Sequence, residues 1–233
     1  MAQKKKKTTN NKDWTTIATR AFVVIILISC VVGFSLTTGF FSIFKSGKVG
    51  DIAYISYTVV NPDGTPVLTS DQYIAQQAYE AGLPTGLTQQ MAIEIGMQKS
   101  SAEKEPISTI DAYVYPSGNM PFALFSWELD AISEALEGSN TNDVLEVPFG
   151  EGTELQRQMT KDQYNNLELG VNFSDVPVGA LIPLGFSSTT YIPVDNQTVE
   201  IPIRWAKVID KTNGNITVDY SYLGAQVTVT EIQ

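Results

Sequence analysis

The chain has no histidine and a single cysteine, Cys30. Without imidazole, His-ligated metal centres and nucleophiles activated by histidine are excluded. With one thiol, so is an intrachain disulfide. Positive charge is scarce beyond the first twenty residues. Six of the 15 Lys and Arg stand in residues 1–20, and the other nine face 24 Asp and Glu, a difference of −15. No basic footprint for nucleic acid remains there, and an acidic surface of this kind favours solubility. No metal and no cofactor are expected.

Long apolar runs are also scarce, with one exception. Residues 1–20 carry Lys4, Lys5, Lys6, Lys7, Lys12 and Arg20 against Asp13, and residues 21–44, AFVVIILISCVVGFSLTTGFFSIF, hold no charge. As a helix, 24 residues would span about 36 Å, more than a hydrocarbon core of about 30 Å. The sequence therefore predicts a single-pass membrane protein, with residues 1–20 as a cytoplasmic tail and the rest extracytoplasmic. The stretch Leu27-Ile28-Ser29-Cys30 also looks like a lipoprotein processing site, but an apolar VVGF follows it where a polar tether is usual.

Beyond residue 45 the patterns favour strands. Residues 48–60, KVGDIAYISYTVV, alternate as a strand, and Asn61-Pro62-Asp63-Gly64 is a turn leading to a second short strand. Ser70 or Asp71 caps a helix that Gly82 closes. A further helix is expected over residues 88–98, and a solvated loop over SSAEKEP. From Ser126, the spacing of Leu129, Ile132 and Leu136 gives a helix with one apolar face, ended by Gly138. VLEVP follows as a strand, KDQYNN as a helical turn, and IPIRWAKVID, ITVDYSY and GAQVTVTEI as three consecutive strands with an all-antiparallel ending. The fold class is α+β.

Five motifs in this order resemble the FKBP-type peptidyl-prolyl isomerases. GDIAYISYT (residues 50–58) is similar to the family's opening strand. Asp63-Gly64-Thr65 with SDQYIAQ (70–76) is similar to the turn and helix of archaeal members. EALEG (134–138) resembles the end of the central helix, and Val147-Pro148-Phe149-Gly150 a shortened flap motif. IPIR (201–204), ITVDY (216–220) and GAQVTV (224–229) resemble the SlyD-like subfamily, which carries a chaperone domain inserted in the flap.

The resemblance implies an antiparallel sheet wrapped on a short helix (residues 45–150 and 219–233) and an inserted β domain (151–218). It also implies a substrate pocket. Tyr57 matches the family tyrosine. The family Phe-Asp pair falls on Val67-Leu68, the pocket floor on Glu128-Leu129-Asp130-Ala131-Ile132, the flap tyrosine on Phe149, and a last-strand phenylalanine on Val229. With the carboxylate, the aromatic floor and the flap hydroxyl replaced, isomerase activity is expected to be weak or lost, and no catalytic residue is assigned. Implied partners are unfolded or exported polypeptides, particularly proline-containing ones. The alternative is a catalytically dead accessory subunit with a partner in a membrane complex. Three sequons, at Asn172, Asn196 and Asn215, would be open to N-glycosylation on an outer face.

Overall fold

A computed structural model describes residues 24–26, 29, 46–97, 107–150, 155–186 and 201–233 of the chain. Residues 46–233 form one compact unit. Its frame is a single 12-stranded mixed sheet with the path β7-β12-β1-β2-β3-β5-β6-β10-β11-β8, with β4 also on β1 and β9 also on β10. The strands are β1 (Ile52–Val60), β2 (Pro66–Thr69), β3 (Gly86–Leu87), β4 (Met91–Glu94), β5 (Ile107–Val114), β6 (Gly118–Phe125), β7 (Val144–Pro148), β8 (Gln156–Thr160), β9 (Leu181–Gly185), β10 (Ile203–Lys211), β11 (Asn215–Asp219) and β12 (Gly224–Ile232). Among the described residues of this unit three α-helices accompany them: α1 (Gln72–Glu80), α2 (Ser126–Ala135) and α3 (Lys161–Asn165).

Local chemistry accounts for most of these elements. In β1, Ala53, Ile55, Tyr57 and Val59 alternate onto one buried face, and the strand pairs antiparallel along its length with β12. Asp71 caps α1, its carboxylate accepting the Tyr73 and Ile74 N–H groups. Thr160 caps α3 in a reciprocal box with Gln163. Gly224 stands where β12 crosses β7, and a Cβ there would collide with the Val147 carbonyl oxygen. The buried side chains gather into two clusters. One lies around β1, β2, β12 and α2, and the other around β8, β9, β10 and β11.

Several expectations are corrected. The FKBP-like α+β architecture, an antiparallel sheet with a separate small β domain, gives way to one mixed sheet. The physical reason is a parallel bridge, Ile203 to Phe122, that continues β6 into β10; a second parallel pair joins β2 to β3. The last three strands pair antiparallel as expected, β10 with β11 and β12 with β1 and β7, apart from the one parallel bridge of β10 to β6. Residues 88–98 hold no helix, and β4 lies there instead. SSAEKEP lies outside the described residues.

The single-pass membrane placement is also corrected. Among the described residues no helix is long and apolar enough to cross a membrane, a crossing that takes about 20 residues. Of the expected span 21–44, Val24, Ile25, Ile26 and Ser29 are described, as helical, and the remainder, Cys30 included, lies outside the described residues.

Between the two clusters sits a charged pair with no solvent exposure. Arg204 on β10 meets Glu128 on α2 in a bidentate contact, at 2.9 Å from Nη1 to Oε2 and 2.6 Å from Nη2 to Oε1. Arg204 Nε donates to the Tyr220 carbonyl at 2.7 Å, and Nη1 also to that of Ala123 at 3.3 Å. Glu128 Oε2 accepts the Phe125 N–H at 2.8 Å, satisfying the start of α2. The guanidinium lies 4.4 Å from the Phe125 ring centre and 3.6 Å from that of Tyr222. Burial works against its charge, but the Glu128 carboxylate overrides this and holds Arg204 above its ordinary value.

Two outcomes follow for stability. Arg204→Met leaves the Glu128 carboxylate buried without its cation and should cost about 3–5 kcal/mol in urea unfolding. The double change Arg204→Met with Glu128→Gln removes the stranded charge, keeps an acceptor for Phe125 N–H, and should cost clearly less. The second outcome concerns pH. Lys207 beside Asp63, helped by the Thr65 hydroxyl, pulls the Asp63 carboxyl from 3.8 down to about 2. Its contribution is therefore complete above its ordinary value and fades as the pH falls through about 2. Asp63→Asn should lower stability modestly at neutral pH, by about 1 kcal/mol or less for so exposed a pair, and its difference from the unmutated chain should vanish as the pH falls through about 2.

Candidate functional site

The free edge of β1 is shared by two strands that diverge from it. β4 pairs with Ile52 to Ile55, and β2 with Thr58 to Val60. Tyr57 stands at the fork between them, its backbone held by Ser70, whose Oγ accepts the Tyr57 N–H at 2.8 Å and whose N–H donates to the Tyr57 carbonyl at 2.9 Å. A cleft of about 750 Å³ opens at this fork, walled by residues 87–91 on one side and residues 110–113 of β5 with Asn119 on the other.

One residue of the cleft lining, Tyr57, carries an unsatisfied donor. Tyr57 is 2% exposed, and its hydroxyl has no hydrogen-bond partner among the described residues. The Thr88 hydroxyl donates to the Asp111 carbonyl, at 2.9 Å; its oxygen could still accept from the Tyr57 phenol and bears on it electrostatically, but the two do not meet in hydrogen-bond geometry. Burial pushes the phenol up to about 12, a rise that the neighbouring Thr88 hydroxyl eases. Tyr57 is therefore a protonated donor at any ordinary pH. A buried hydroxyl left unpaired costs about 1–3 kcal/mol, so a ligand acceptor placed there would recover that loss.

The β5 wall adds a second feature. On one side β5 pairs with β6 at all eight of its residues. On the cleft side β3 meets it at a single position, Leu87 to Tyr113. From Ile107 to Ala112 that edge has no strand partner among the described residues. Apart from the Asp111 carbonyl held by Thr88, it offers peptide groups to whatever occupies the cleft.

The seven residues expected to form the substrate pocket do come together, but as core. Tyr57, Val67, Leu68, Leu129, Ile132, Phe149 and Val229 all belong to the larger buried cluster, none more than 4% exposed. Tyr57 alone among them lines the cleft. Leu129 lines a smaller cavity of about 220 Å³ beside Ser133. Phe149 packs edge-on against Trp127, centroids 6.2 Å apart. Of the sequons, Asn172 is exposed and bonded to Asp175, Asn215 is half-buried at the start of β11, and Asn196 lies outside the described residues. Among the described residues no cluster of His, Cys, Asp or Glu is placed to hold a metal ion.

Sequence reasoning missed the buried pair and the β5 wall. Arg204 did leave a signal, a lone charge inside IPIRWAKV between Ile203 and Trp205. Such a residue on a strand flanked by apolar neighbours needs a buried partner. Thr88, Asp111 and Tyr113 left none, because their meeting depends on the two-residue strand β3.

Removing the unpaired hydroxyl should help the unliganded fold. Tyr57→Phe should raise the unfolding free energy by about 1 kcal/mol in urea, whereas a loss of that size would mean the hydroxyl is bonded. No protein-family model matches this chain and no curated protein matches it, so the isomerase resemblance rests on the motifs quoted above.

Proposed function

We propose that this protein captures extended segments of unfolded, proline-containing polypeptide and holds them without isomerising them. The observation that carries this reading is an open cleft lined in part by Tyr57, whose buried hydroxyl has no hydrogen-bond partner among the described residues. A peptide carbonyl is the acceptor such a donor suits. The adjoining β5 edge supports the same ligand class, since its free N–H and C=O groups match the spacing of another peptide backbone.

The chemistry of the lining favours binding over turnover. Among the described residues it holds one carboxylate, Asp111, and no cysteine, serine or lysine. Rotation about an X-Pro bond faces a barrier of about 18–20 kcal/mol. Lowering it takes a wall that favours the twisted amide over the planar one. Six of the seven side chains that the isomerase resemblance implies for such a wall do not line the cleft.

The test uses the full chain and a reduced, unfolded model protein whose aggregation is followed by light scattering. Suppression should appear within a several-fold molar excess and weaken in Tyr57→Phe. In an NMR exchange assay on an X-Pro peptide, the rate should stay at or near background. No suppression at that excess would sink the binding reading, and family-like turnover would overturn the absence of catalysis.

A further inference from the structure

Beside the cleft lies a second groove, of about 310 Å³, between α1 and the turn that joins β5 to β6. Its walls carry three tyrosines: Tyr79 on α1, Tyr113 on β5 and Tyr115 just past the end of β5. They are 50%, 45% and 54% exposed. Rings of this size left in water are informative when they cluster. The Tyr79 and Tyr115 rings meet edge-on, centroids 4.3 Å apart and planes at 67°, forming an angular notch. Leu87 and Tyr113 line both the groove and the Tyr57 cleft, so the two cavities share the wall made by the β3–β5 bridge.

The chemistry of this second surface is narrow. It offers flat apolar ring faces, phenolic hydroxyls and the amides of Gln72 and Gln76, with no charged side chain in its lining among the described residues. A polyproline II segment fits such a surface. Its pyrrolidine rings are rigid and apolar, its carbonyls have no internal hydrogen bonds, and it advances about 3.1 Å per residue with little freedom left to lose. Charge decides what accompanies the prolines. Among the described residues neither lining contains lysine or arginine and Asp111 is the one charged residue in either, and the chain carries a net charge of −10. A cationic side chain next to the proline run is the complementary choice. A glycan would stack on the same rings, but it has no peptide groups for the open edge of β5.

We infer that the cleft and the tyrosine groove form one continuous site whose ligand is a basic, proline-rich segment of another polypeptide. The prolines lie on Tyr79 and Tyr115, and a neighbouring Lys or Arg meets Asp111. This rests on the polypeptide-binding reading above and narrows it to a sequence class.

Fluorescence anisotropy on the full chain tests it. The probe is a labelled dodecapeptide with a Pro-Pro-Leu-Pro run flanked by arginines. The comparators replace its prolines with alanine or its arginines with glutamate, and a neutral β-linked hexasaccharide serves as competitor. The arginine-flanked proline peptide should bind best, with each replacement weakening binding about tenfold. Tyr79→Ala and Tyr115→Ala, both at exposed positions, should each weaken it by about the same factor at unchanged circular dichroism. Asp111→Asn should remove the preference for arginine over glutamate. Equal binding of the alanine peptide, wild-type affinity in the tyrosine variants, or displacement by the hexasaccharide overturns the inference. If the proline and alanine peptides bind equally and both weaken in Tyr57→Phe, the tyrosine groove is refuted while the polypeptide reading stands. Binding of neither peptide refutes both.

Discussion

A guanidinium taken wholly out of water is the constraint around which residues 46–233 are arranged. Arg204 is tolerated there because six contacts converge on it: both oxygens of Glu128, the carbonyls of Tyr220 and Ala123, and two aromatic faces. A buried ion pair adds little net stability, but it penalises every arrangement that separates its members. Here the members belong to β10 and to the start of α2, and the carbonyl contacts add β6 and the residue after β11. Phe125, stacked on one side of the guanidinium, belongs to one buried cluster, and Tyr222 on the other side to the second. The pair thereby fixes the register in which the two clusters meet.

That fixation bears on the candidate site through β6. The strand runs directly into α2, and the Glu128 carboxylate holds the Phe125 N–H where one becomes the other. β5 hangs on β6 along its whole length, so the far wall of the cleft is placed by the same anchor. The near wall is placed by β1, whose free edge is divided between β2 and β4. The cleft lies where β2 and β4 divide one edge of β1, with the buried Tyr57 between them. A hydroxyl is left unpaired in its lining, a loss of about 1–3 kcal/mol that a well-anchored fold can carry and a ligand can recover.

Much of this was legible residue by residue, and the parts that were not share a cause. α1 was readable because Asp71 and Gly82 mark its ends, and α2 because Leu129, Ile132 and Leu136 fall on one face. β1, β7, β10 and β12 were readable from strict alternation. β3 was not, since two residues are too few to show a period, and residues 88–98, which hold the four-residue β4, suit a helix equally well by composition. The partner of β12 was not readable either, because alternation identifies a strand without naming its neighbour. The same limit governs the site. Val67, Leu68, Ile132 and Val229 carry apolar side chains that suit a pocket wall and a core equally well, and packing alone decides between them. Arg204 and Glu128 are 76 positions apart in sequence, and no local pattern links them.

The central claim is that an extended polypeptide occupies the cleft against β5, with its carbonyl on Tyr57. Amide hydrogen exchange tests this most directly, comparing the full chain with and without a saturating unfolded, proline-containing polypeptide. Protection should rise at the cleft-facing amides of residues 107–113 and stay unchanged in β8, β10 and β11. Protection confined to elements away from the cleft, or no change at saturation, would contradict the account.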